Sequence, residues 1–280
     1  MIRLPSPEQR VFHPLFETAG VELWIKRDDL IHPEISGNKW RKLAPIMEEI
    51  KKRGVTKVIS YGGAWSNHLL ALAAAAHQLG MDSMGIVRGE PVDNSILSRC
   101  SDLGMKIRFL SREEYRNLRK VDDVLGWTED TCIIPEGANC PEARQGMATL
   151  WSELKQDYTY LLDSVGSGTS VRGLSESAPS QTRVLAIMAV KDHGLAASLR
   201  AMGIRVFDEY TRGGFAKMDD ELFGSCRAFR EDTGILLDPV YTAKQWMAAL
   251  DLLDQGLFNK GDRVLFVHSG GLSGWGADRP

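Results

Sequence analysis

Residues 57–80 read KVISYGGAWSNHLLALAAAAHQLG: a short β-branched run gives way through two glycines to an apolar helical stretch that ends on a third. Val58, Ile59 and Tyr61 favour a strand, Ser66 and Asn67 are good helix N-caps, and Gly80 suits a helix C-terminus. The stretch is therefore one β/α unit, and the chain repeats it. Strands are predicted at KVISY, MGIVR (84–88), KIRFL (106–110) and TCIIP (131–135), with helices near Asn67–Leu79, Asn94–Leu103, Arg112–Leu125 and Glu142–Gln156. Upstream, VELWIKR (21–27) alternates as a strand, and Leu43, Ala44, Met47 and Ile50 place a helix that begins close to Lys39. Downstream come the strands YLLDSV (160–165), RVLAIMAV (183–190), IRVFDEY (204–210) and RVLFVHSGG (263–271). Helices MDDELFGSCRAF (218–229) and TAKQWMAALDLLDQGL (242–257) lie between them. Such alternation makes an α/β protein with parallel sheets. Eight or nine units could close a barrel, but glycine-bearing loops follow strands directly at SYGGAWSNH, SVGSGTS and VHSGG. That favours two open sheets, whose ligands gather at the carboxyl ends of strands.

Composition narrows the partners. Lys+Arg 34 against Asp+Glu 37 gives a net charge of −3 without a run of five like charges, so neither nucleic acid nor an anionic membrane is expected. A small molecule is the default partner. The opening MIRLPSPEQRVFHPLF lacks the apolar core of a signal peptide. The longest apolar run, Leu69–Ala76, is far short of the roughly 20 residues that span a bilayer, so a cytoplasmic location is expected. Cys100, Cys132, Cys140 and Cys226 show no metal-ligand spacing, so they read as small buried hydrophobes, with neither metal nor disulfide expected.

Three loops carry candidate chemistry. In SVGSGTSVRG (164–173), Gly166, Ser167, Gly168, Thr169 and Ser170 join a strand to a predicted helix with no acidic residue among them. Free N–H groups, hydroxyls and a helix dipole suit a phosphate, although a merely flexible turn would read the same way. No Gly-Lys-Ser/Thr follows, and the third glycine of a dinucleotide fingerprint would fall at Val171, which sets a nicotinamide oxidoreductase aside. In SYGGAWSNH, Ser66 and Asn67 serve as caps and leave His68 partly exposed, or they bind a ligand that Gly62 and Gly63 let come close. In SGNKWRKL (36–43), Lys39 and Lys42 are either solvated charges or one of them does chemistry. The macrodipole disfavours a cation at a helix N-terminus, so the pKa of Lys39 is expected to be pulled down, as an amine nucleophile requires. Lys42, one turn on, is expected to be exposed.

Taken in order, WIKRDDL, SGNKWRKL, GGAWSNHLLALAAAAHQLG, IPEGAN, VGSGTS, DEY, DPVYTAK and VLFVHSGG resemble the 1-aminocyclopropane-1-carboxylate deaminase/D-cysteine desulfhydrase family, pyridoxal-phosphate enzymes of the tryptophan synthase β type (fold type II). The resemblance covers nearly the whole chain. It implies two open three-layer α/β/α domains, a large one of residues 1–47 and 149–280 and a small one of 48–148, with the cofactor in the inter-domain cleft. It also implies that Lys39 bonds the aldehyde of pyridoxal 5'-phosphate, that Asn67 meets the ring hydroxyl, that Val165, Gly166, Ser167, Gly168, Thr169 and Ser170 hold the phosphate, and that Ser269 faces the ring nitrogen. Lys39, Tyr241 and Ser66 are the implied catalytic residues. Ser66, Asn67 and His68 are expected to take the substrate carboxylate, with Trp65 and Phe215 shaping the pocket. A homodimer is the family's expectation.

The chain departs from the family pattern at three places. Thr242 follows Tyr241 where the deaminases have glutamate, Gly214-Phe215-Ala216 stands where a second active-site tyrosine is usual, and Trp65 precedes the Ser-Asn-His turn where glutamine is common. Opening an amino-substituted cyclopropane offers no α-proton to remove, so it asks for extra acid/base groups that Thr242 and Phe215 do not supply. The expected activity is therefore β-elimination from a small, D-cysteine-like amino acid to a 2-oxo acid, ammonia and sulfide. Cyclopropane deamination and cofactor binding without turnover are the alternatives.

Overall fold

The computed structural model describes residues 1–35, 37–118, 125–214, 217–272 and 275. The chain opens with β1 (Glu8–Val11), α1 (Pro14–Ala19) and β2 (Glu22–Lys26). It continues through α2 (Asn38–Arg53), β3 (Lys57–Gly63), α3 (Asn67–Gln78), β4 (Asp82–Arg88), α4 (Ser95–Asp102), β5 (Lys106–Leu110), α5 (Arg112–Leu118), β6 (Gly126–Trp127), β7 (Thr131–Ile134) and α6 (Pro141–Glu153). The remainder is β8 (Tyr160–Val165), α7 (Thr169–Glu176), β9 (Arg183–Met188), α8 (His193–Ala201), β10 (Arg205–Phe207), α9 (Asp220–Thr233), α10 (Thr242–Asp254) and β11 (Arg263–Val267). Residues 119–124 of the helix expected over Arg112–Leu125 lie outside the described residues.

The strands form two separate sheets, so the barrel is excluded. The first runs β1-β2-β11-β8-β9-β10, parallel except for the β1/β2 pair. The second runs β5-β4-β3-β7-β6, parallel except for the short β6 against β7. Two compact units follow from them: Met1–His32 with Ala148–Pro280, and Pro33–Met147. Residues 33–47, expected in the larger domain, fall in the smaller unit, and α2 runs unbroken from Asn38 to Arg53 across the expected boundary.

Each unit has its own core. In the larger, Trp246 of α10 meets His13, Phe16 and Phe229, with ring centroids 5.0, 5.9 and 4.6 Å away. Phe258 and Tyr160 extend the cluster onto the sheet. The smaller unit buries nearly the whole of α3: Leu69, Leu72 and the run Ala73–Ala76 are inaccessible or almost so. Alanines let a helix approach its neighbours closely, so the apolar run of the sequence is a packed helix core. Among the described residues no helix is long and apolar enough to cross a membrane.

Candidate active site

In the larger unit, the glycine turn and Ser269 follow the carboxyl ends of the neighbouring parallel strands β8 and β11, and Tyr241 lies against the turn. β8 ends at Val165, and the chain turns through Gly166, Ser167 and Gly168 into α7. Gly168 caps that helix with φ +81°, and a Cβ there would lie 2.8 Å from Leu195. A Cβ on Gly166 would lie 3.2 Å from the Tyr241 ring. Only glycine fits the turn comfortably. Ser167 Oγ and Thr169 Oγ1 lie 3.0 Å apart, and Thr169 and Ser170 are buried in the first turn of α7.

Tyr241 stands at the start of α10, anchored by Asp238. The Asp238 carboxylate accepts from the N–H groups of Val240 (3.1 Å), Tyr241 (2.7 Å) and Thr242 (3.1 Å). Burial pushes its pKa up to about 6, against the downward pull of those three bonds. Thr242 is fully buried, and its hydroxyl accepts from Asp238 N–H at 2.7 Å. The residue that replaces the deaminases' glutamate thus serves the turn that holds Tyr241. Ser269 follows β11 and is 6% exposed, next to Gly270 and Gly271 at φ +78° and +89°.

In the smaller unit, Gly37 (φ 61°) caps α2, which places Lys39 in its first turn, partly exposed and donating to Asn38 Oδ1. Lys42 corrects an expectation: it is buried. It lies on the stripe Asn38–Lys42–Ile46, at i, i+4 spacing along the inward face of the helix. The Ser66-Asn67-His68 turn opens α3 at the carboxyl end of β3, with Ser66 Oγ accepting from Leu69 N–H at 3.3 Å. Gly62 is needed for that cap, since a Cβ there would lie 2.6 Å from Ser66 Oγ, whereas Gly63 faces open space. Trp65 is half exposed.

His68 is not the partly exposed residue of the simple capping reading; it is buried. Ser60 Oγ donates to the Ile134 carbonyl (2.8 Å), so His68 Nε2–H must be the donor in its 2.8 Å contact with Ser60 Oγ. Nδ1 then carries a lone pair and has no hydrogen-bond partner among the described residues. Burial lowers the His68 pKa to about 3, helped by the Lys42 and Lys39 charges. Phe215 lies outside the described residues.

Three supporting residues went unread in the sequence. Asn94 donates from Nδ2 to the Ala64 carbonyl (3.1 Å) while its Oδ1 caps α4, so it pins the loop before Ser66. Its N-cap signal was visible, but the reach back to Ala64 was not. Asp238 could have been suspected from its place before Pro239. Lys244 carries no such signal, since a lysine inside a helix reads as solvated.

The family model described as pyridoxal-phosphate dependent enzyme matches residues 10–270. The chain belongs to that family. As a pyridoxal-phosphate-dependent enzyme it is 30% identical over 288 residues, 91% of this chain and 86% of the other, to a protein of Pyrococcus abyssi (strain GE5 / Orsay) provisionally named a 1-aminocyclopropane-1-carboxylate deaminase. It is 28% identical over 318 residues, 98% of this chain and 78% of the other, to the mitochondrial bifunctional D-cysteine desulfhydrase/1-aminocyclopropane-1-carboxylate deaminase of Arabidopsis thaliana. The crystal structure of an ACC deaminase homologue superposes with a TM-score of 0.82 at 24% identity, covering 98% of this chain and 91% of that one, which establishes the fold. The residues present fit the family's cofactor: a glycine turn that a Cβ would crowd, with hydroxyls at a helix start, suits its phosphate, and a first-turn lysine suits its aldehyde.

Proposed function

We propose that this enzyme removes the α-proton of a small, D-cysteine-like amino acid and eliminates its β-substituent as sulfide, and that water hydrolyses the released enamine to a 2-oxo acid and ammonia. When bound, pyridoxal phosphate supplies an aldehyde that takes up amines and a ring that draws electrons from the α-carbon. The chain's own residues do the rest. The Gly166–Ser170 turn and the start of α7 hold the phosphate, and Ser269 takes the ring nitrogen with a neutral hydroxyl. Asn67 orients the ring. Lys39 would hold the aldehyde, and its amine, disfavoured as a cation by the positive end of α2, would take the α-proton. The Asn67 and His68 N–H groups and the Ser66 hydroxyl hydrogen are offered to the substrate carboxylate, the Ser66 N–H being taken by the Gly63 carbonyl. Tyr241 faces the reacting end and orients it.

The observation that carries this reading is the glycine turn packed against Tyr241 at the end of one strand, with Ser269 following the end of its parallel neighbour. Elimination is preferred to cyclopropane opening because Thr242 is buried and its hydroxyl is engaged by Asp238, so it adds no acid or base. The Arabidopsis relative carries both activities in its name, so both substrates belong in the test. Purified protein with pyridoxal phosphate should show a visible absorption band that Lys39→Ala abolishes or shifts. It should also release keto acid from D-cysteine faster than from the cyclopropane amino acid. A protein that stays colourless with added cofactor overturns the reading. A coloured protein that turns over neither substrate is a binder, and the reverse preference makes it a cyclopropane deaminase.

A further inference from the structure

Lys244 lies one turn after Tyr241 on α10 and is fully buried. Its Nζ donates to three backbone carbonyls, Ala189 at 3.0 Å, Thr211 at 3.0 Å and Gly214 at 2.9 Å. Arg212, Gly213 and Gly214 have φ of +46°, +88° and +126°, a left-handed run that turns the chain so that the Thr211 and Gly214 oxygens face one point. Ala189 in turn donates its N–H to the Val165 carbonyl at 3.1 Å, immediately before the Gly166 turn. One ammonium therefore ties the end of β9, the 211–214 turn and α10 together, beside the loop given above to the phosphate. Backbone carbonyls converging on a single buried cation are also how proteins strip and hold a potassium ion.

We propose that Lys244 is a tethered monovalent cation. Its ammonium fills a carbonyl cage suited to K⁺ or NH₄⁺, and by filling it permanently makes the enzyme independent of added cations. Burial lowers the Lys244 pKa to about 8, with Asp238 and Asp219 raising it and Arg212 lowering it, so the group is charged at neutral pH. Lys244 touches no reacting atom in this scheme; it is a positioning residue, acting through Ala189 and Val165.

The test compares wild type with Lys244→Ala in potassium, ammonium and tetramethylammonium chlorides at one ionic strength. Thermal midpoints measured without cofactor should be equal in all three for the wild type. For the variant they should rise in potassium or ammonium over tetramethylammonium, which is too large to enter. The variant's affinity for pyridoxal phosphate should follow the same order, about tenfold tighter with the small cations. A folded variant indifferent to cation identity overturns the proposal, as does a wild type that needs potassium. A variant that folds only with a small cation supports it, and one that folds in no salt counts against it. The last arm rests on the cofactor reading, but the midpoints do not. A wild type that takes up no pyridoxal phosphate thus refutes that reading and leaves the cage to be judged on the midpoints.

Discussion

His68 spends a titratable group on the interior of the smaller unit, and the cost shows up in acid. Its folded pKa is about 3 against 6.5 for the free side chain, so below about pH 6.5 the unfolded chain takes up a proton that the native imidazole refuses. Stability is therefore lost as pH falls from about 6.5 toward 3, by up to about 1.4 kcal/mol per pH unit from this residue. Urea unfolding at pH 7 and pH 5 should show wild type losing about 2 kcal/mol more than His68→Gln across that interval. Equal losses would mean that His68 is solvated. At this scale the sequence was a partial guide. It placed Lys39 in the first turn of a helix and Ser66 at a cap, because both positions follow from local spacing. It mistook Lys42 and left the burial of His68 open, because which face of a helix turns inward depends on Ser60, Ile134 and other groups far along the chain.

Helix α2, which carries Lys39, is seated by a single missing methyl. Pro45 lies inside that helix and cannot donate to the Arg41 carbonyl, and Gly146 of α6 comes against the same carbonyl. A Cβ on Gly146 would lie 2.0 Å from Arg41 O. Gly146→Ala should therefore destabilise the protein by about 3 kcal/mol or more through overpacking, against a helix-propensity gain of about 1 kcal/mol. A lowered urea midpoint is expected; a raised one would mean that α2 and α6 do not touch there. Elements with strong apolar patterns were legible: β5 and β8 span the predicted residues, and α3 ends within one residue of its prediction. Those missed were short or polar. β1 (EQRV) is an edge strand with one polar face, α1 has six residues, and β10 keeps only Arg205–Phe207 before the chain turns into a single helical turn at Glu209–Thr211.

Across the whole molecule the four cysteines sit in interiors, Cys100, Cys132 and Cys140 in the smaller unit and Cys226 in the larger, all of them free thiols. Burial pushes each thiol up to about 12, so the reactive thiolate is scarce at neutral pH. A thiol-reactive dye should label fewer than about one cysteine per native chain and all four once urea unfolds it. Rapid native labelling would mean that an interior opens. The α/β class and open sheets were readable because strand-helix alternation is a local pattern; the placing of α2 in the smaller unit was not, because it depends on contacts far along the chain such as Gly146 against the Arg41 carbonyl. The unit boundary also orders the birth of the protein. Glu22 of β2 accepts from Arg263, the first residue of β11, 241 positions away, and among the described residues β2 has no other parallel neighbour. On the ribosome the continuous segment 33–147 can close on itself while later residues are still being added. β1 and β2 must wait, edge exposed, until β11 has been made, so a chain that stalls before β11 holds a finished small unit and an unfinished large one.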